Sequence, residues 1–267
     1  MSSVLDKQFG RMGARVRLQV PQKDRWTRED VRVELDVKRD KFGEIFDFTI
    51  GADAKAALEV LQVVPEDRHL LLLVRRPDER GRQIKQRFLC GHDERHWFVA
   101  AIPEESPVST VEAAKTALKP EEVLQRESMV RLSGAEKHSR KNEVFKRQGE
   151  WFFVPAWSLK VPKNLILKNE PFNRGRGKFH YAQEAYRSGG TRVYVLGEQV
   201  LSVYEYNKLS EESRKQPWRS MTENATMYVR GKITHADHAT LTLDGWHRVL
   251  MNLESRAKAM QSVRFLD

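Results

Sequence analysis

Cysteine is almost absent from this 267-residue chain, in which Cys90 stands alone. No disulfide can form within the chain, and a cysteine-rich zinc module is excluded. Long apolar runs are missing too. The longest purely aliphatic stretch covers residues 70–74, far short of the roughly 20 residues that span a bilayer. Residues 1–7 lack the apolar core of a secretory signal. There is no fixed-period repeat and no low-complexity tract. Together these absences predict a cytoplasmic protein with no membrane partner, in which Cys90 is a small core residue rather than a nucleophile.

Charge is abundant and unevenly placed. The formal net charge is +10, on a chain that is 40% hydrophobic and 31% charged, a balance suited to a packed, well-solvated globule. Residues 151–267 hold 18 Lys+Arg against 11 Asp+Glu, whereas residues 104–150 hold nine of each. Within residues 160–192, Lys160, Lys163, Lys168, Arg174, Arg176, Lys178, Arg187 and Arg192 face only Glu170 and Glu184. Such a concentration attracts phosphate backbones and other polyanions. It confers affinity without naming the partner.

Hydrophobic periodicity predicts an α+β chain in three parts. Residues 1–103 read as a β-rich barrel or sandwich: residues 14–20, 31–37 and 46–50 alternate with a period of two. Residues 58–64 and 69–75 flank a turn, as do 84–90 and 96–102. Residues 104–149 read as a helical connector. Ser109 with Glu112 and Ser133 with Glu136 have capping-box spacing, Pro120 starts a helix with acids in its first turn, and the polar run to Gln148 reads as helix. Residues 150–267 read as a basic α+β domain. Its strands are expected near 151–154, 165–167, 191–195, 199–206 and 227–234, with a short helix at 209–216. A hairpin and a helix over 252–263 close it.

The hairpin carries the most specific signal. Asp244-Gly245 between alternating strands predicts a type I′ turn, since both positions favour positive φ. That register sets Asp237 opposite Asn252 and His235 opposite Glu254, all on one face. Carboxylates beside a neutral imidazole suit Mg²⁺, Mn²⁺ or Zn²⁺. The expected assignment is Asp237, Glu254 and Asn252 as ligands, with His235 or His238 as general base. His238 and His247 fall on the opposite face of that register, too far apart to share an ion. A plainer reading makes Asp237 and Asn252 caps and His235–Glu254 a surface pair. Over residues 235–262 the pattern resembles the ββα-metal nuclease hairpin. It departs from that family because no histidine follows His247 to supply a ligand from the helix.

Two further segments are rich in functional groups. The run from Cys90 to His96 places His92 and His96 beside a thiol and two acids, which an ordinary polar turn also explains. Residues 173–180, Asn-Arg-Gly-Arg-Gly-Lys-Phe-His, offer flexible backbone and the cations Arg174, Arg176 and Lys178 for phosphates. Phe179 stands where a P-loop needs Ser or Thr, and His180 stands where the dinucleotide fingerprint needs its last glycine. Trp151, Phe152, Phe153 and Trp157 supply either core or base-stacking rings.

The expected function is nucleic-acid binding, with Arg174, Arg176, Lys178, Arg187 and Arg192 as phosphate contacts and metal-assisted phosphodiester hydrolysis as the reaction. Two alternatives come from other classes. One is a non-catalytic protein-interaction or assembly module with a basic face. The other is an enzyme acting on a phosphorylated small molecule.

Overall fold

The computed structural model describes residues 2–19, 33–51, 56–78, 80–105, 107–173, 178–197 and 199–257. Strands dominate, in several sheets, and no barrel closes. An N-terminal helix, α1 (Ser2–Arg11), went unforeseen because its apolar residues are few. Leu5, Phe9 and Met12 nevertheless recur at helical spacing and are buried. Strands β1 (Val16–Gln19), β2 (Val33–Asp40) and β3 (Gly43–Ile50) form one sheet in the order β1-β3-β2, with β1 parallel to β3. Strands β4 (Ala57–Val64), β5 (His69–Pro77), β6 (Gln83–Asp93) and β7 (His96–Ile102) form a meander.

These two sheets share a core. Leu35, Phe46 and Phe48 meet Leu70, Leu72, Val74, Phe88 and Cys90, and Phe9 caps them with its ring 5.0 Å from Phe46. The alternate residues Leu71, Leu89, Ala100 and Ile102 point the other way, onto Val111, Ala114 and Leu118 at helix α2 (Val111–Ala117). Residues 70–74 form an unbroken aliphatic run because β5 is buried on both faces.

Thr110, not Ser109, caps α2, its side chain accepting from Ala113 N–H at 3.1 Å. Helix α3 (Glu121–Ser128) follows Pro120 as expected, and Ser133 with Glu136 forms the capping box of α4 (Gly134–His138). The helix then stops, ten residues short of Gln148. Asn142 Oδ1 accepts from Val144 and Phe145 N–H, a local turn that competes with helix. Val144 and Phe145 bury beside Val123, Phe152 and Val154, and β8 (Lys146–Gln148) pairs with β9 (Trp151–Pro155). The expected connector is therefore shared: α2 packs on the meander, and α3 packs on the C-terminal sheet. At its centre Lys119 Nζ, buried, donates to both Glu127 oxygens at 2.8 Å and to the Lys137 carbonyl.

Beyond β9 the chain forms β10 (Leu167–Phe172), β11 (His180–Ser188), β12 (Thr191–Leu196), β13 (Gln199–Ser202), α5 (Val203–Asn207), α6 (Glu211–Arg214), β14 (Arg219–Glu223), β15 (Thr226–Thr234) and β16 (Leu241–Met251). The main sheet has the order β10-β11-β15-β16-β9-β8, and β13-β12-β14 form a small separate sheet. Much of the basic segment 160–192 is thus strand. Residues 253–256 make a single 3₁₀ turn where a longer helix was expected, and residues 258–263 of that expectation lie outside the described residues. No helix of the described residues is long and apolar enough to cross a membrane.

The hairpin at Asp244-Gly245 does not form. Strand β16 runs straight through these residues, with β15 on one side and β9 on the other. Val229 faces His247 and Gly231 faces Leu243, so three residues of β16 stand opposite Arg230 alone. The Asp-Gly pair is a bulge, with Gly245 at φ +80°. Its backbone preference was readable, but two long-range partners outweigh a local turn. The true hairpin loop is 235–240, so the expected pairings of Asp237 with Asn252 and of His235 with Glu254 are not formed.

Candidate metal centre

Pairing of β11 with β15 brings three histidines together. His180 opens β11 with its side chain facing inward, as does Ala182, while Tyr181 and Gln183 face out. His235 and His238 follow β15 in the 235–240 loop. The rings of His180 and His235 stack with centroids 4.2 Å apart, His180 lies 5.8 Å from His238, and His235 lies 4.8 Å from His238. One nitrogen from each lies within 4.8 Å of the others. Among the described residues no other group of three or more His, Cys, Asp or Glu is so gathered.

His180 is the telling member. It is 2% exposed, and neither of its ring nitrogens has a hydrogen-bond partner. Phe172 stacks on it at 5.3 Å and Trp151 meets it edge-on at 6.2 Å. A buried imidazole with both nitrogens unmet is destabilised by about 1–3 kcal/mol for each group left unsatisfied. Burial, reinforced by His235 and His238, depresses its pKa to about 3. His235 and His238 also lie below their ordinary value, chiefly through burial. All three are therefore neutral near pH 7, the form in which an imidazole can ligate a metal.

Neighbouring groups orient the loop histidines. His235 Nδ1 accepts from Asp237 N–H at 3.1 Å. His238 Nδ1 lies 3.5 Å from Glu94 Oε2, which also accepts from Ala239 N–H at 2.8 Å. Glu94 belongs to the β6–β7 turn, where Arg140 binds both it and Asp93. Gly149, at φ +57°, has no side chain for a reason: a Cβ there would sit 3.0 Å from His238 Nε2. A tetrahedral ion about 2.0–2.1 Å from each nitrogen sets those nitrogens about 3.3 Å apart. An ion held by all three would require the rings to draw together and turn edge-in from their near-parallel stack, at 23° between His180 and His235.

Of the residues expected to act, His235 and His238 meet each other, and the structure adds His180. Asp237 instead accepts from Lys178 Nζ at 2.8 Å through both oxygens. Burial pushes its pKa up, but Lys178 outweighs this and leaves it lowered. Asn252 caps the 3₁₀ turn, accepting from Glu254 N–H at 3.4 Å, and Glu254 is buried beside it, outside the cluster. Arg187 pairs with Glu170 at 3.0 Å, and Arg192 donates to Ser220 Oγ and lies over Tyr194. Arg174 and Arg176 lie outside the described residues. Near Cys90, His96 pairs with Glu44, His92 packs on Trp97, and burial pushes the Cys90 thiol pKa up. His247 is buried elsewhere, edge-on to Trp157.

The signal for His180 lay in its position between a glycine-rich basic run and an alternating segment, two residues before Ala182. Read as a failed glycine fingerprint, the residue concealed the start of a strand. No protein-family model, curated protein or solved structure matches the chain.

Proposed function

We propose that the protein is a metal-dependent phosphodiester hydrolase acting on nucleic acid, with a zinc-class ion held by His180, His235 and His238. The observation that carries this reading is the buried His180 ring, whose two nitrogens lack partners beside two other neutral imidazoles. Three imidazoles without an oxygen ligand favour zinc, cobalt or nickel over the magnesium or manganese that a carboxylate set would take. Three protein ligands leave one tetrahedral position for water or substrate. An ion of this class supplies Lewis acidity and an acidified water.

The chain supplies the rest. Glu94, 3.5 Å from His238 Nδ1, stands where carboxylates beyond a metal's ligands commonly stand. Asp237, between the two loop histidines, is the carboxylate that accepts a proton, and Lys178, bonded to it, is the cation that meets a phosphate oxygen. The histidines thus become ligands and Asp237 the base, the reverse of the roles their types first suggest. A net charge of +10 favours a polyanionic substrate. The reading places the protein in the cytoplasm, where its one thiol stays reduced.

The test begins with chelator-treated protein reconstituted with Zn²⁺, Co²⁺, Ni²⁺, Mn²⁺ or Mg²⁺. Bound metal would be measured directly, and turnover followed on bis(p-nitrophenyl) phosphate and labelled oligonucleotides. One zinc-class ion per chain is expected, lost in His180→Ala with the circular dichroism spectrum retained. Asp237→Asn should keep the ion and lose turnover by about 10²- to 10⁴-fold. Failure to bind any of these ions, or turnover that survives His180→Ala, overturns the reading.

The exposed side chains Val200, Val203, Tyr204 and Met221 of the small β13-β12-β14 unit favour a second reading, a non-catalytic assembly module. That reading expects metal binding without turnover.

A further inference from the structure

We infer that the outer face of the β10-β11-β15 sheet binds single-stranded nucleic acid and seats one base in a recess walled by Lys168, Asn169, Tyr181, Gln183, Lys232 and Thr234. The inference rests on the hydrolase reading and specifies the form of its substrate.

The recess arises from a local break in the ladder. Asn169 adopts φ +50° and interrupts the pairing of β10 with β11 opposite Gln183. The register of β11 against β15 shifts at the same place. The result is a shallow hollow of about 330 Å³ on a face whose strands are otherwise regular. Its walls are two amides, a hydroxyl, a phenol and two ammonium groups, a set suited to base edges and phosphates and poor for an apolar peptide. Gln183 Oε1 is already committed, accepting from Lys232 N–H at 3.0 Å, so the amide presents its N–H donors outward.

Two aromatic rings stand exposed at the same place. Tyr181 is 40% exposed and Phe179 46%, with centroids 6.4 Å apart. Rings left on a polar surface beside lysines offer π-faces to bases, and only bases freed from a duplex can stack on them. The charge fits as well. Lys168 and Arg230 share Glu184, while Lys232 forms no ion pair among the described residues, so three cations stand there against one carboxylate. The face also adjoins the histidines: Tyr181 follows His180 on β11, and Thr234 precedes His235 beyond β15. Recess and cluster occupy successive residues of the same paired strands, one on each side of the sheet.

The experiment is fluorescence anisotropy on the intact zinc-loaded protein. The probes are a labelled oligouridylate, an oligothymidylate, a duplex of equal length, and heparin as a polyanion without bases. Both single strands are expected to bind at least tenfold more tightly than the duplex, and their relative affinity distinguishes RNA from DNA as the natural ligand. Tyr181→Ala and Phe179→Ala, both surface truncations checked by thermal melting, should each weaken binding about tenfold. Lys232→Ala should reduce the log–log salt slope by about 0.7. Equal affinity for duplex or heparin, or oligonucleotide binding indifferent to both ring truncations, overturns the inference.

His180→Ala separates the two readings. Ring-dependent binding that persists there supports the face whatever becomes of turnover. Zinc-dependent cleavage of bis(p-nitrophenyl) phosphate by the unaltered protein, without ring-dependent binding, removes the face and leaves the hydrolase.

Discussion

Burial lowers the pKa of several histidines of this protein below that of a free imidazole. Outside the three-histidine cluster the clearest is His69, whose ring lies against Phe98 and over Gly91. Burial first, and the Lys115 charge second, lower its pKa to about 4. The unfolded chain would protonate this residue near pH 6.5 while the folded chain would not, so acid favours unfolding. The stability associated with His69 is fully present above about pH 6.5 and falls as the pH drops toward about 4. The slope is at most about 1.4 kcal/mol per pH unit. Urea denaturation at pH 7.5, 6 and 5 should show the decline, and His69→Gln should reduce its slope by up to about 1.4 kcal/mol per pH unit, the share of one proton. An unchanged slope in the variant would assign the acid sensitivity to other groups. Nothing in the sequence marked His69 for this role, because its environment is created by residues 29 positions away at Phe98.

At the scale of elements, the bulge in β16 makes a sharp prediction. Gly245 holds φ +80°, and a Cβ there would lie 3.4 Å from the Trp157 ring. Gly245→Ala should therefore lower stability by about 1–2 kcal/mol through the left-handed backbone alone. It should leave strand pairing intact, because β15 and β9 hold β16 on both sides. A thermal melt with the metal content measured in parallel would check this. A loss beyond about 4 kcal/mol, or loss of the sheet signal, would mean that the bulge nucleates the strand rather than interrupting it.

The same strand shows where the sequence was readable. Alternation located β1 to β3, and apolar runs on either side of turns located β4 to β7, since each of these strands packs on a core. It could not show β11, whose Glu184 and Arg187 read only as part of a basic segment until their partners Arg230 and Glu170 are seen. Parallel pairing of β1 with β3, and the choice of bulge over turn at Asp244-Gly245, depend on contacts distant in sequence. The candidate site was half legible for the same reason. His235 and His238 share one loop, whereas His180 joins them only through a strand pairing more than 50 residues long in reach.

At the scale of the whole molecule the N-terminal sheets and the main C-terminal sheet are interlocked. The turn at Asp93 and Glu94 reaches the 235–240 loop and Arg140, Leu253 N–H donates to the Leu118 carbonyl at 3.0 Å, and Ala257 returns to the N-terminal core. The small β13-β12-β14 sheet stands apart from this arrangement. It is spliced between β11 and β15, which pair with each other directly, with Ser188 opposite Thr226. Paired residues of this kind lie about 5 Å apart, close enough for a two-residue turn to join them. Replacing residues 189–225 by Asn-Gly should thus give a shorter protein whose melting temperature and zinc affinity stay near those of the parent. A collapse of either would show that the small sheet supports the large one. Such a junction would let a lineage trade residues 189–225 for another fold, or lose them, and so change what the protein meets while the pairing of β11 with β15 persists.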